Sequence, residues 1–162
     1  MEIIGDFNTS VKKALEEIDP TYEKYDGLVI CGTHAPQDTE MMISKIREAR
    51  ETGRPSLLIC FGYQLGAIEY GRNILGIKDA TSEEFGTGTF VVKKRDKLKV
   101  GLHKVGDRYE NFWSYYEAEE YPIPENWVSV PYHPEYESSK FSPHPLLIKF
   151  LKDCKKYGKI LV

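Results

Sequence analysis

The stretch Pro55-Ser-Leu-Leu-Ile-Cys60-Phe-Gly-Tyr-Gln64 decides the fold. Its apolar run up to Cys60 does not alternate, which is the pattern of a strand buried on both faces of a parallel sheet. It passes through Phe61-Gly62 into a helix expected to begin near Tyr63. Upstream, Gly27-Leu-Val-Ile-Cys31 is a second run of the same kind, followed by a polar loop from Gly32 to Asp38. Between them, Thr39 to Thr52 carries Met42, Ile46 and Ala49 on one helical face, with Glu40 near its start, Arg50 near its end and Gly53 as a stop. Strand, helix, strand, helix implies an α/β fold: a mostly parallel, twisted sheet flanked by helices, with right-handed crossovers and ligands beyond the carboxyl ends of the strands.

Working outward, Glu2 to Phe7 reads as a strand, and Val11, Ala14, Leu15 and Ile18 as a helix behind a Thr9 or Ser10 cap, ended by Asp19-Pro20. From Thr81 to Tyr121 short, partly antiparallel strands are expected, with the basic stretch Lys93 to Lys99 as a solvated turn. Trp127 to Tyr132 reads as a strand, and Leu147, Phe150, Leu151 and Cys154 as the stripe of a last helix. No repeat or linker interrupts residues 1–162, so a single domain is expected.

With 41% apolar and 29% charged residues, the composition is that of a chain with a real core. A net charge of −3 argues against a nucleic-acid or membrane-surface binder, which needs a basic face, and favours small molecules or proteins as partners. No apolar run reaches the roughly 20 residues that span a bilayer, and the start has no signal-peptide pattern, so a cytoplasmic protein is expected. Cys31, Cys60 and Cys154 are odd in number and far apart, which suits neither a disulfide framework nor zinc. His34, His103 and His144 lack metal-ligand spacing; no metal or cofactor is expected.

A cysteine that ends an apolar run is most often a small core residue, and that reading holds for Cys154 and is favoured for Cys31, with the alternative that its strand neighbours the Cys60 strand and brings the two thiols close. Cys60 differs by its place on a sharp strand-to-helix turn, exposed above the sheet and facing a helix amino terminus that favours the thiolate. Gly62 permits the close backbone approach, and the Phe61 amide is free to point at a developing oxyanion. Just after a strand, His133-Pro134-Glu135 sets an imidazole and a carboxylate side by side if the backbone is extended. Glu135 would orient the base and His133 would carry the proton; the competing reading is a surface turn.

Together Tyr25-Asp-Gly-Leu-Val-Ile, Ile59-Cys-Phe-Gly-Tyr-Gln64 and His133-Pro-Glu135 resemble class I glutamine amidotransferases. Gln64 to Gly76, Asp79 to Phe85, Arg108-Tyr-Glu-Asn111 and Pro143-His-Pro-Leu146 resemble, in the same order, segments of the glutaminase domain of CTP synthase. The resemblance implies a flavodoxin-like domain, a Cys60–His133–Glu135 triad, and L-glutamine held at its amino-acid end by Gln64, Glu84 and Arg108. These residue types suit an amino-acid substrate, with a carboxylate for the α-ammonium, a guanidinium fork for the α-carboxylate, and an amide that both donates and accepts.

Two positions depart from the family. Gly32-Thr33-His34-Ala35 stands where the family carries a glycine-rich loop supplying the second oxyanion amide, and Leu58 where it carries a glycine before the nucleophile. The resemblance thus implies a slow glutaminase. The family's synthetase domain, with sites for UTP, ATP and magnesium, has no counterpart in the 162 residues, so ammonia would go to a separate synthetase chain. Two alternatives stand beside this: a hydrolase of other γ-glutamyl amides, and a catalytically silent glutamine-binding or regulatory module.

Overall fold

In chain order the elements are β1 (Glu2–Ile4), α1 (Thr9–Ile18), β2 (Leu28–Ile30), α2 (Thr39–Thr52), β3 (Ser56–Ile59) and α3 (Phe61–Asn73). They continue as β4 (Ala80–Ser82), β5 (Thr89–Val105), β6 (Arg108–Ala118), β7 (Trp127–Val130) and α4 (Pro145–Ile160). The computed structural model describes residues 1–33 and 37–160, with the side chain of Ile160 left aside. His34, Ala35 and Pro36, in the loop expected from Gly32 to Asp38, lie outside the described residues.

The central sheet has the order β1-β2-β3-β7, every pair parallel. Strand residues alternate between two cores, as the pleat requires. Leu28, Ile30 and Leu58 pack with Ile43 and Ile46 of α2 and Leu65 and Ile68 of α3. Val29, Leu57 and Ile59 pack on the opposite face with Val11 and Leu15 of α1 and Leu147 and Phe150 of α4. Each such side chain, fully buried, contributes about 1.5–3 kcal/mol of transfer free energy. The connections β1-α1-β2 and β2-α2-β3 step the same way across the sheet with their helices on opposite faces. They cannot share one hand, so the expectation of uniformly right-handed crossovers fails at one of them.

A second sheet, with β4 parallel to β5 and β5 antiparallel to β6, stands on the α3 side. One core runs from β2 and β3 through α3 to Ala80, Val91, Val92 and Ala118, which locks this sheet to the first. Lys93 to Lys99 is not a turn but part of β5, with Lys93, Lys94 and Lys99 registered against Glu117, Tyr116 and Ser114. Buried Val91 and Val92 anchor the strand while the lysine heads stay in water. β1 stops at Ile4, short of Phe7, because Gly5 turns the chain at φ +123°. Asn8, not Thr9 or Ser10, occupies the N-cap position of α1.

Leu58 causes no crowding: its Cδ1 lies where a side chain at position 66 would be, at 2.8 Å from a Cβ built there, and position 66 is glycine. On the outer side of α3, Glu69 is fully buried and takes three hydrogen bonds of 2.8, 2.9 and 3.0 Å from Arg50 of α2. That fork fixes α3 against α2, and so the amino end of α3. Among the described residues no helix is long and apolar enough to cross a membrane.

Candidate active site

Cys60 joins β3 to α3. Its N–H still belongs to the sheet, donating to Val130 O at 3.0 Å, while its carbonyl already belongs to the helix, accepting from Gln64 N at 3.3 Å. One residue must therefore absorb the whole reversal, and it does so at φ 55° and ψ −99°. Backbone strain of this kind costs of the order of 1–3 kcal/mol and gathers at functional sites. Helix α3 starts at once, at Phe61 rather than near Tyr63. A Cβ at position 62 would collide with the carbonyl oxygen of Ile30, so glycine is required for α3 to begin this close to β2.

Beyond β7 the segment Pro134–Glu137 is a 3-10 turn, not the extended backbone expected of His-Pro-Glu. The side chains nevertheless meet: His133 Nδ1–H donates to Glu135 Oε1 at 2.7 Å, and both residues are buried. With Nδ1 so engaged, Nε2 is the nitrogen left for Cys60, the other hydrogen-bond partner of the ring. Burial alone would push His133 down, but the hydrogen bonds to Cys60 and Glu135 and their charges outweigh it and raise it to about 9. The His133 backbone N–H is tied to Asn111 O of β6 at 2.8 Å, and the Tyr136 ring stacks on the imidazole at 4.8 Å. Cys60 Sγ also lies 3.7 Å from Trp113 O.

A cavity of about 490 Å³ opens above Cys60. Gly32, Thr33, Phe61, Gln64, Glu84 and His133 all line it, so seven of the expected site residues, Cys60 included, are gathered round one space, with Glu135 buried behind His133. Ser82 Oγ donates to Gln64 Oε1 at 3.0 Å and accepts from Glu84 N at 3.1 Å, which sets Gln64 and Glu84 beside each other. Burial raises the Glu84 carboxyl, and its hydrogen bond with Gln64 offsets this only in part. The Glu84 side chain stays exposed to solvent, and a carboxylate at the cavity wall whose neighbour is a neutral amide is open to a cationic group entering the cavity. Thr33 Oγ1 donates to Asp6 Oδ2 at 2.7 Å. Among the described residues, positive φ outside glycine occurs at Asp38 and Cys60, so Thr33 does not take up the left-handed conformation a glycine there could.

Arg108 is set apart from this group. It is not among the cavity's lining residues; its Nε lies 3.6 Å from Glu110 Oε1. Residues two apart share one side of a strand, and Glu110 is turned to His144, whose Nε2 lies 2.8 Å from its Oε1. His144 is thus a buried partner of Glu110, and Cys31 a core thiol pushed up to about 12, chiefly by burial. Sequence reasoning missed Ser82, Trp113, Phe7 and Tyr136 in this cavity's surroundings. Two of these had a sequence signal that could have drawn notice: Tyr136, directly after the His-Pro-Glu triplet, and Ser82, inside the Asp79 to Phe85 segment.

The sequence model described as glutamine amidotransferase class-I matches residues 6–121. The chain belongs to the class I glutamine amidotransferases. That match covers Cys60, Gln64, Glu84 and Arg108, whereas His133 and Glu135 lie beyond it and join the site through the fold. The CTP synthase of Methanoculleus marisnigri is 32% identical over 180 residues, covering 81% of this chain and 34% of that protein. The CTP synthase of Encephalitozoon cuniculi is 31% identical, over 78% of this chain and 33% of its own length. This amidotransferase chain spans about a third of the length of these relatives. The glutaminase domain of Trypanosoma brucei CTPS with bound acivicin superposes with a TM-score of 0.72 over 96% of this chain and 94% of that one, at 17% identity, a likeness of fold.

Proposed function

We propose that this chain hydrolyses L-glutamine to glutamate and ammonia through a γ-glutamyl thioester on Cys60. What supports this is the line from Cys60 on its strained elbow to His133 to Glu135, opening on a cavity that also holds Gln64 and Glu84. The Cys60 sulfur attacks the γ-carbonyl carbon. The carbonyl oxygen, gaining charge, faces the amide of Phe61 and the Gly32-Thr33 backbone. His133, kept protonated by Cys60 and Glu135, gives its proton to the departing nitrogen as the C–N bond breaks. Water, deprotonated by His133, then cleaves the thioester.

At the other end of the substrate, Glu84 takes the α-ammonium and Gln64 bridges to it. Arg108 serves the α-carboxylate by leaving Glu110 for the cavity when substrate enters. Ammonia passes to a separate synthetase chain, a role suggested by the CTP synthases of which this chain matches about a third. A glutamine-mimicking electrophile tests the nucleophile: one adduct is expected, on Cys60, prevented by excess glutamine. Adducts at Cys31 or Cys154, both core thiols pushed up to about 12 by burial, or no adduct at all, would contradict the assignment.

A further inference from the structure

Glu110 and His144 form a buried pair that the proposed mechanism leaves without a task. They are 2% and 1% exposed. His144 Nε2–H donates to both carboxylate oxygens of Glu110, at 2.8 and 3.0 Å. Its Nδ1 accepts from the N–H of Leu146 at 3.1 Å, which fixes that tautomer and leaves the ring neutral. Buried polar pairs contribute little net stability, because desolvation cancels much of their attraction. This one is set apart by the two pieces of backbone it joins.

Glu110 precedes Asn111 on β6, and the Asn111 carbonyl accepts the His133 N–H at 2.8 Å. His144 stands directly before α4 and opens its first turn, its carbonyl accepting from Leu147 N at 3.1 Å and Ile148 N at 3.2 Å. The N–H of His144 donates to Ser138 Oγ at 3.0 Å. Residues 133–138, which carry the imidazole, Glu135 and Tyr136, are therefore held in front by β6 and behind by the amino end of α4. The Glu110–His144 hydrogen bonds tie these two supports to each other and close a ring that runs from Asn111 through His133, the turn, Ser138 and His144 back to Glu110. Within it the 3-10 turn Pro134–Glu137 is only four residues long, and hydrogen bonds of that kind are poorly aligned, so the turn does not fix its own place. Both supports are firmly packed: Phe112 of β6 is buried, and α4 lays Leu147 and Phe150 against the central sheet.

Resting on the role given to His133 above, we infer that Glu110 and His144 are positioning residues: by fixing β6 to the amino end of α4 they set where the His133 imidazole stands relative to Cys60. Of the groups that meet the ring, Glu135 and Tyr136 share its segment and move with it, whereas Cys60 belongs to the β3–α3 elbow. A shift of the segment therefore falls on the Cys60–His133 contact. A displacement of about 1 Å in such a contact costs up to about 10² in rate.

Two readouts test this, and one of them is independent of glutamine. Burial lowers His133, but its hydrogen bonds to Cys60 and Glu135 raise it past that to about 9, so loss of Cys60 should let it fall towards its ordinary 6.5. In protein with labelled histidine rings, the His133 resonance should titrate at least about one pH unit lower in His144→Leu than in the wild type. The same variant, shown to be folded by circular dichroism, should lose at least about tenfold in kcat for glutamine. Glu110→Gln still offers an oxygen to His144 Nε2–H and should keep kcat within about threefold and the titration within about half a unit. A folded His144→Leu with the wild-type titration overturns the inference, and so does a lowered titration with unchanged kcat. Glu110→Gln falling as far as His144→Leu would replace the link by an effect of charge and overturn it too. A wild type that releases no glutamate removes the glutaminase reading, and the His133 titration then decides the positioning alone. Should His144→Leu fail to fold, Ser138→Ala cuts the ring at its other end: a smaller lowering of the His133 titration is expected, and an unchanged one overturns the inference.

Discussion

Replacing Glu135 by Gln keeps the size of the side chain and removes its charge. In the native chain His133 rises from 6.5 to about 9, which at about 1.4 kcal/mol for each pH unit is about 3 kcal/mol in favour of the imidazolium, net of a burial cost that opposes it. Glu135 supplies two of the four raising influences, a hydrogen bond and a charge, and Cys60 the others. If Glu135 carries about half of the net effect, its loss weakens the protonated ring by roughly 1.5 kcal/mol, a factor of about ten. The proton that His133 gives the departing nitrogen is then lost at lower pH. The alkaline limb of kcat/KM, near pH 9 in the wild type, should move by about one pH unit towards neutrality in Glu135→Gln, so that the loss of activity is about twofold at pH 8 and grows towards about tenfold above pH 9. Stability moves with it. A raised histidine stabilises the folded state fully below its unfolded value near 6.5, and that contribution disappears as pH rises through about 9. Urea unfolding should therefore show a smaller loss of stability between pH 6 and pH 9 in the variant than in the wild type. An alkaline limb unmoved in Glu135→Gln, with the protein folded, would refute the role given to this carboxylate.

Glu84→Ala should raise KM for glutamine with a smaller change in kcat, because it removes the partner of the α-ammonium. Arg108→Ala should do the same if the guanidinium leaves Glu110 for the substrate, and an unchanged KM would take Arg108 out of the pocket. Thr33→Gly should raise kcat with little change in KM, since one missing oxyanion donor costs on the order of 10²–10³ in kcat; flat turnover would show that Thr33 already serves. Glu69→Ala leaves the Arg50 guanidinium without its buried partner and should cost about 3–5 kcal/mol in urea unfolding, most of it recovered in Arg50→Met/Glu69→Leu.

The parallel core was legible because buried strands need continuous apolar runs. Leu28–Ile30, Ser56–Ile59 and the helix Thr39–Thr52 fall within or on their expected bounds for that reason. The β5–β6 hairpin was not, because its lysines and half-exposed apolar residues follow no single period and a register shift lies between Lys94 and Lys99. The His133–Glu135 contact was legible as a pair, yet its backbone was misread: proline at the start of a 3-10 turn brings the two side chains together as well as an extended strand would. Arg108 illustrates what a motif withholds. Its residue type suits a carboxylate, but strand parity turns it towards Glu110 and His144. Phe7 carries no local signal at all, since a loop aromatic reveals its neighbours only once four strand ends are brought side by side.

The action of Cys60 on glutamine is tested most directly by the release of glutamate and ammonia from L-glutamine by the purified chain and by Cys60→Ala, each shown to be folded. The wild type should release the two products in equal amounts, and Cys60→Ala should release neither above background. Equal turnover in both proteins, or no turnover in either the wild type or Thr33→Gly, would contradict that role.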